Sequence, residues 1–195
     1  MRKIILLFCL SSVLALGACA ASDKNKLTIP ELTDREEQII QTAADQVFIF
    51  DYATDQTYSG ISLWMDKYEK GEKIGGPIGE LSIPLPGEST NGTLIMAIKP
   101  SDDKLLFSAS ISGAGLTSED QLPDIEDMAT LTAVNPQEGL PLSENMLLSA
   151  VAYTNSSVGV KVSSFSVDFF EQNEGYLEEL KEYDVAYLVR ASFKK

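Results

Sequence analysis

Apolar residues in this sequence recur at every second position, and that period belongs to strands. Between Tyr58 and Tyr68, Ile61, Leu63 and Met65 fall on one face, with Ser62, Trp64, Asp66 and Tyr68 on the other. Thr93 to Lys99 sets Leu94, Met96 and Ile98 against Thr93, Ile95 and Ala97. Leu105, Phe107, Ala109 and Ile111 form an apolar face with serines opposite. Val185, Tyr187, Val189, Ala191 and Phe193 alternate in a terminal strand, with Arg190 and the lysines outward. Val47-Phe48-Ile49-Phe50 is dense in β-branched and aromatic side chains, as a buried strand requires. Met146 to Tyr153 reads as a strand, and shorter ones are expected at Glu80–Ile83, Thr130–Val134 and Val158–Val162.

Turn chemistry separates these runs. Glu69-Lys70-Gly71-Glu72 closes a hairpin, and Pro100-Ser101-Asp102-Asp103 turns the chain again. Gly75-Gly76-Pro77 breaks the return strand or bulges it. Gly113 to Gly139 is the least regular stretch. Two segments switch to the helical period. Thr33-Asp34-Arg35-Glu36 matches a capping box, and Ile39, Ile40, Ala43 and Ala44 follow at helical spacing, so a helix is expected from Asp34 to Ala44. Phe169, Phe170, Asn173, Tyr176, Leu177 and Leu180 predict a second over residues 167–182, weakened by Gly175. Two helices are too few for a doubly wound sheet, and short turns imply antiparallel pairing. The expected fold is mainly β (α+β), an antiparallel sheet or sandwich of about seven to nine strands, with one helix near each end packed on it.

The N-terminus obeys other rules. Arg2 and Lys3 precede an apolar run of 13 residues, Ile4 to Leu16, interrupted by Ser11 and Ser12. A membrane-spanning helix needs roughly 20 apolar residues. Leu16-Gly17-Ala18-Cys19 follows. The order of these parts resembles a bacterial lipoprotein signal with its lipobox. The resemblance implies cleavage before Cys19 and acylation of the Cys19 sulfur, which would hold the chain on the extracytoplasmic face of a cell membrane. One acyl chain binds only marginally at about 0.8 kcal/mol per buried methylene, whereas two or three make release negligible. The organisation expected is a signal peptide over residues 1–18, a flexible tether over 19–30 and one β-rich domain over 31–195. Beyond that signal, the folded part resembles small envelope lipoproteins of Gram-positive bacteria in general layout alone.

Composition narrows the function. The chain of 195 residues has 15 basic and 29 acidic side chains, no histidine and two cysteines, Cys9 and Cys19. These counts exclude histidine-based triads, histidine-ligated metals, four-cysteine zinc sites and a disulfide framework. Removing Arg2 and Lys3 with the signal leaves 13 basic against 29 acidic groups, a charge of −16. Nucleic acid is therefore not an expected partner. Ser101-Asp102-Asp103-Lys104 fits S-x-x-K, but in a turn rather than at the start of a helix.

Two places invite a ligand. Trp64, Tyr68 and Asp66 on one strand face would suit a sugar ring or a peptide, unless that face is packed. Asp120, Asp124, Glu126 and Asp127 could bring oxygens together on Ca²⁺, although the spacing is not that of an EF-hand. The lipid bilayer, through the acylated N-terminus, and an envelope protein or glycan are the expected partners. With no catalytic constellation, a non-enzymatic binding or accessory role is expected. The alternatives are a carboxylate- or metal-dependent envelope hydrolase and a surface inhibitor or chaperone-like protein.

Overall fold

The computed structural model describes residues 24–121, 128–155 and 164–195. Among them are eleven strands: β1 (Lys26–Thr28), β2 (Gln46–Thr54), β3 (Gly60–Glu69), β4 (Glu72–Pro84), β5 (Thr90–Ser101), β6 (Lys104–Ile111), β7 (Ala114–Gln121), β8 (Met128–Val134), β9 (Leu140–Pro141), β10 (Met146–Asn155) and β11 (Val185–Lys194). One sheet has the order β7-β6-β5-β2-β1-β9 and the other β4-β3-β11-β10-β8. Every neighbouring pair is antiparallel. The expected antiparallel, mainly β class holds, and the strand number rises from seven to nine to eleven.

The alternating faces explain why the sheets meet. Phe48, Phe50, Leu94, Met96, Ile98, Leu105, Phe107 and Ile111 of the first sheet share one core with Ile61, Leu63, Met65, Tyr153, Tyr187, Val189 and Phe193 of the second. Each such side chain contributes roughly 1.5–3 kcal/mol when removed from water. Rings settle against one another across this core, as with Tyr52 and Phe193 at 5.7 Å and Phe107 and Tyr187 at 5.2 Å. Thr132 of β8 donates to Gln46 of β2 and so ties the two sheets along one side. On the other side β4 crosses β7 so closely that a Cβ on Gly79 would lie 2.6 Å from the Ser118 hydroxyl.

Three hairpins use the turn that matches strand twist. Lys70 and Gly71 both take positive φ between the paired Glu69 and Glu72, as do Ser112 and Gly113 between Ile111 and Ala114. Asp102 takes positive φ between paired Ser101 and Lys104, which confirms that the S-x-x-K tetrad is a hairpin tip. The Gly75-Gly76-Pro77 segment does bulge. Met65 pairs with Ile78 but Lys67 with Ile74, so β4 carries two residues more than β3 there and runs through as one strand.

Four expectations change. Residues Lys26–Thr28 belong to the sheet rather than to a tether reaching Pro30, because Leu27 is 1% exposed in the core and pairs β1 with β2 and β9. The first helix, α1 (Asp34–Ala43), has its capping box but no buried residue, so it is not packed on the sheet as expected. The second is not one helix. It divides into α2 (Val167–Phe170) and a 3-10 helix (Tyr176–Glu182), parted by Gly175 at φ 83°. The irregular stretch Gly113 to Gly139 holds β7 and β8. The strand expected at Val158–Val162 lies outside the described residues.

Candidate functional site

Period two places Ser62, Trp64, Asp66 and Tyr68 of β3 beside Ser192, Arg190, Leu188 and Ala186 of β11, register partner for register partner, on the face turned from the shared core. The two ends of this face differ. Around Tyr68, Ala186, Leu188, Leu147, Ala150 and Ala152, a C-terminal cap of Phe165, Phe169, Phe170, Leu180 and Tyr183 closes a second apolar cluster. Towards Ser62 and Ser192 the cap stops and the sheet lies open.

Arg190 and Asp66 stand on that border, 2% and 3% exposed. Arg190 Nε lies 2.9 Å from Asp66 Oδ2, and Lys73 Nζ lies 2.9 Å from Asp66 Oδ1. Both contacts are ion pairs at short range without the alignment of good hydrogen bonds. The guanidinium spends its other donors on the cap and its rim. Arg190 Nη1 donates to Asn145 Oδ1 at 3.1 Å and to Gln172 Oε1 at 2.7 Å, and Nη2 donates to the Tyr176 hydroxyl at 3.2 Å. Asn145 and Gln172 both hold φ 56°, a conformation costly outside glycine. Burial raises the Tyr68 phenol above its ordinary range, with Arg190 beside it pulling the other way. A buried pair of this kind stabilises little by itself, but losing either partner strands a charge.

Beyond this border opens a cleft of about 370 Å³ lined by Ser62, Trp64, Asp66, Lys73, Pro77, Glu80 and Ser192. The β4 bulge builds its far wall. Gly75 and Gly79, both with positive φ, let the strand swing out and set Pro77 over the sheet. Trp64 is half-buried in this cleft. Ser62 and Ser82 Oγ atoms lie 2.7 Å apart at its edge.

The residues singled out from sequence therefore separate. Trp64 lines the open cleft, Asp66 sits in its floor, and Tyr68, 4% exposed, belongs to the covered cluster. Arg190, expected outward, is buried. The signal for that was present in Ala186-Leu188-Arg190: an arginine continuing an apolar stripe needs an internal partner. Lys73 faces Tyr68 in the regular register set by the Lys70-Gly71 turn, whereas Glu80 lies beyond the bulge, where backbone geometry sets its place and the sequence carries no signal for it.

Of the Ca²⁺ candidates, Asp124, Glu126 and Asp127 lie outside the described residues. Asp120 ends β7 at the seam between the sheets, where its Oδ2 accepts from the Tyr187 hydroxyl at 3.0 Å and lies 2.9 Å from Lys67 Nζ. Burial, then the neighbouring carboxylate, drives the Tyr187 phenol far above its ordinary range. Burial opposes the Lys67 charge, but Asp120 and Glu69 outweigh it and hold that ammonium above its usual value. Among the described residues no group of three or more His, Cys, Asp or Glu stands together as a metal site. No helix among them is long and apolar enough to cross a membrane.

A family model described as the YgaN domain matches residues 27–193, from β1 to β11 and so across both sheets. No curated protein and no solved structure matches the chain.

Proposed function

The chain belongs to the YgaN domain family, and on that premise we propose that it is an envelope lipoprotein with a non-enzymatic binding role. In this reading acyl chains on Cys19 hold it to a bilayer, and the Trp64 cleft takes the ligand. The observation that carries the binding role is the cleft's construction. An indole lies on an uncapped sheet face, walled by a bulge and floored by an ion pair that fixes both strands. Asp66 is committed to Arg190 and Lys73.

The support for the tether is the lipobox. With β1 starting at Lys26, residues 20–25 alone would separate Cys19 from the sheet. The scaffold in this reading is a sandwich held close to the headgroups. Its charge of −16 opposes lying flat on anionic lipid.

The test has two readouts. Cys19→Ser should move the protein from the membrane fraction, and unchanged sedimentation with membranes overturns the tether. Trp64→Ala should abolish retention of the solubilised protein on isolated envelope polymer while leaving far-ultraviolet dichroism unchanged. Undiminished retention overturns the cleft as the site.

A further inference from the structure

We infer that the Trp64 cleft takes an uncharged glycan, with one sugar ring stacked on the indole. This inference rests on the binding reading above and adds the class of ligand.

Charge comes first. Lys73 and Arg190 contribute two positive groups to the cleft and its floor, and Asp66 and Glu80 two negative ones. An anionic ligand meets cations that already face Asp66 at 2.9 Å each. Pulling either away strands a carboxylate that is 3% exposed. A cationic ligand finds Asp66 spent in the same way. A ligand without net charge leaves the ion pairs in place.

Hydrogen-bonding capacity comes second. Ser192 Oγ and the Glu80 carboxylate have no partner among the described residues, and both line the cleft. The Lys73 ammonium has three N–H donors and directs one contact to Asp66. The open cleft therefore presents surplus donors from Lys73, an acceptor from Glu80 and a hydroxyl able to do either. Neighbouring sugar hydroxyls, each both donor and acceptor, answer all three. An apolar ligand answers none and would leave these groups dry and unpaired.

Shape comes third. The sheet supplies the floor, and the half-buried Trp64 ring lines the cleft above it. Pro77 in the bulge keeps the opposite wall stiff. A pyranose has one C–H face and a rim of hydroxyls, so it can stack on the indole while its rim meets Lys73, Glu80 and Ser192. Stacking on an aromatic face adds to plain area burial.

Trp64 is the only tryptophan in the chain, so its emission reports on this cleft alone. The full acylated protein, held in a polyoxyethylene detergent that carries no sugar, is titrated with short N-acetylglucosamine and glucose oligomers. A saturable emission shift with at least one oligomer is expected. In calorimetry Trp64→Ala should weaken that binding by at least about tenfold and Glu80→Gln by about fivefold, changes of roughly 1.4 and 1 kcal/mol. Far-ultraviolet dichroism of both variants should be that of the parent. Two further probes separate the outcomes. A saturable shift with oligolysine or with isolated envelope polymer, and none with any sugar into the millimolar range, overturns the glycan and keeps the cleft. No shift with any probe overturns the glycan and the binding role together. Sugar binding that survives Trp64→Ala unchanged places the glycan elsewhere and overturns the inference.

Discussion

The two segments that carry helical periodicity make opposite bargains. α1 satisfies its own backbone. The Thr33 side chain accepts from the Glu36 amide, and Glu36 returns a bond to the Thr33 amide at 2.8 Å. Three acids occupy its first turn, where the helix dipole favours them. The Thr33 hydrogen bonds hold the Glu36 carboxyl below its usual range. Yet α1 buries nothing, and Ile39 is 56% exposed. Ile40 reaches the sheet only across a small apolar cavity of about 160 Å³ shared with Leu32, Phe48 and Phe50. The C-terminal cap is the reverse. Its helices are short and interrupted, but Phe165 stacks on Phe169 at 4.3 Å, and Phe169, 0% exposed, touches Phe170 and Tyr176 as well. Local sequence makes α1 and tertiary contact makes the cap, so intrinsic helicity and contribution to the fold are separate quantities.

That contrast can be broken at its strongest point by Phe169→Ala, which should cost roughly 3–5 kcal/mol in urea unfolding. If the cap were an ornament like α1, the loss would stay below about 0.5 kcal/mol. Arg190→Ala should cost about 3 kcal/mol, the lower end for a severed buried pair because Lys73 still faces Asp66. Hydrogen exchange should show the amides of Val167–Phe170 opening before those of β11. Gly175→Ala forces a side chain to hold φ 83° and should lower the melting midpoint by the equivalent of about 1–2 kcal/mol. Thr33→Ala should cost about 1 kcal/mol of helix stability, visible as faster exchange within α1 and absent from the global transition.

The smallest effect concerns pH at the entrance to β1. Bonds from Asn25 and then from Thr57 lower the Asp55 carboxyl to about 2. A depressed folded-state value means that its support is complete above the ordinary carboxylate range, near pH 4. That support fades as the pH falls towards 2. The Asn25 side-chain amide resonances should shift over that window, and Asp55→Asn should remove the shift.

Most of the sheet framework was legible because β3, β5 and β6 each set an apolar face against a more polar one, and a one-residue slip would expose it. β7 was illegible for the converse reason. Ala-Gly-Leu-Thr-Ser-Glu-Asp-Gln is an edge strand with no buried face, so its sequence carries no alternation to read. β1 and β9 are three and two residues long, too short for any period. The split cap escaped because the aromatic spacing at 3–4 residues reports which side is buried, not whether the backbone between Asn173 and Tyr176 stays helical. At the candidate site Trp64 and Asp66 could be singled out from alternation. Their unlike fates, one in an open cleft and one in an ion pair, depend on where the cap ends and where β4 bulges.

β11 sits between β3 and β10, with register partners on both sides, although it is the last of the eleven strands among the described residues. Gly60 and Lys194 are register partners although about two thirds of the sequence separates them. No ribosome-bound fragment lacking residues 185–194 can zip up the five-stranded sheet. A polypeptide threaded head first through a narrow channel would therefore leave β3 and β10 without their shared neighbour until residues 185–194 arrived, and the five-stranded sheet would close in a late step dominated by distant contacts.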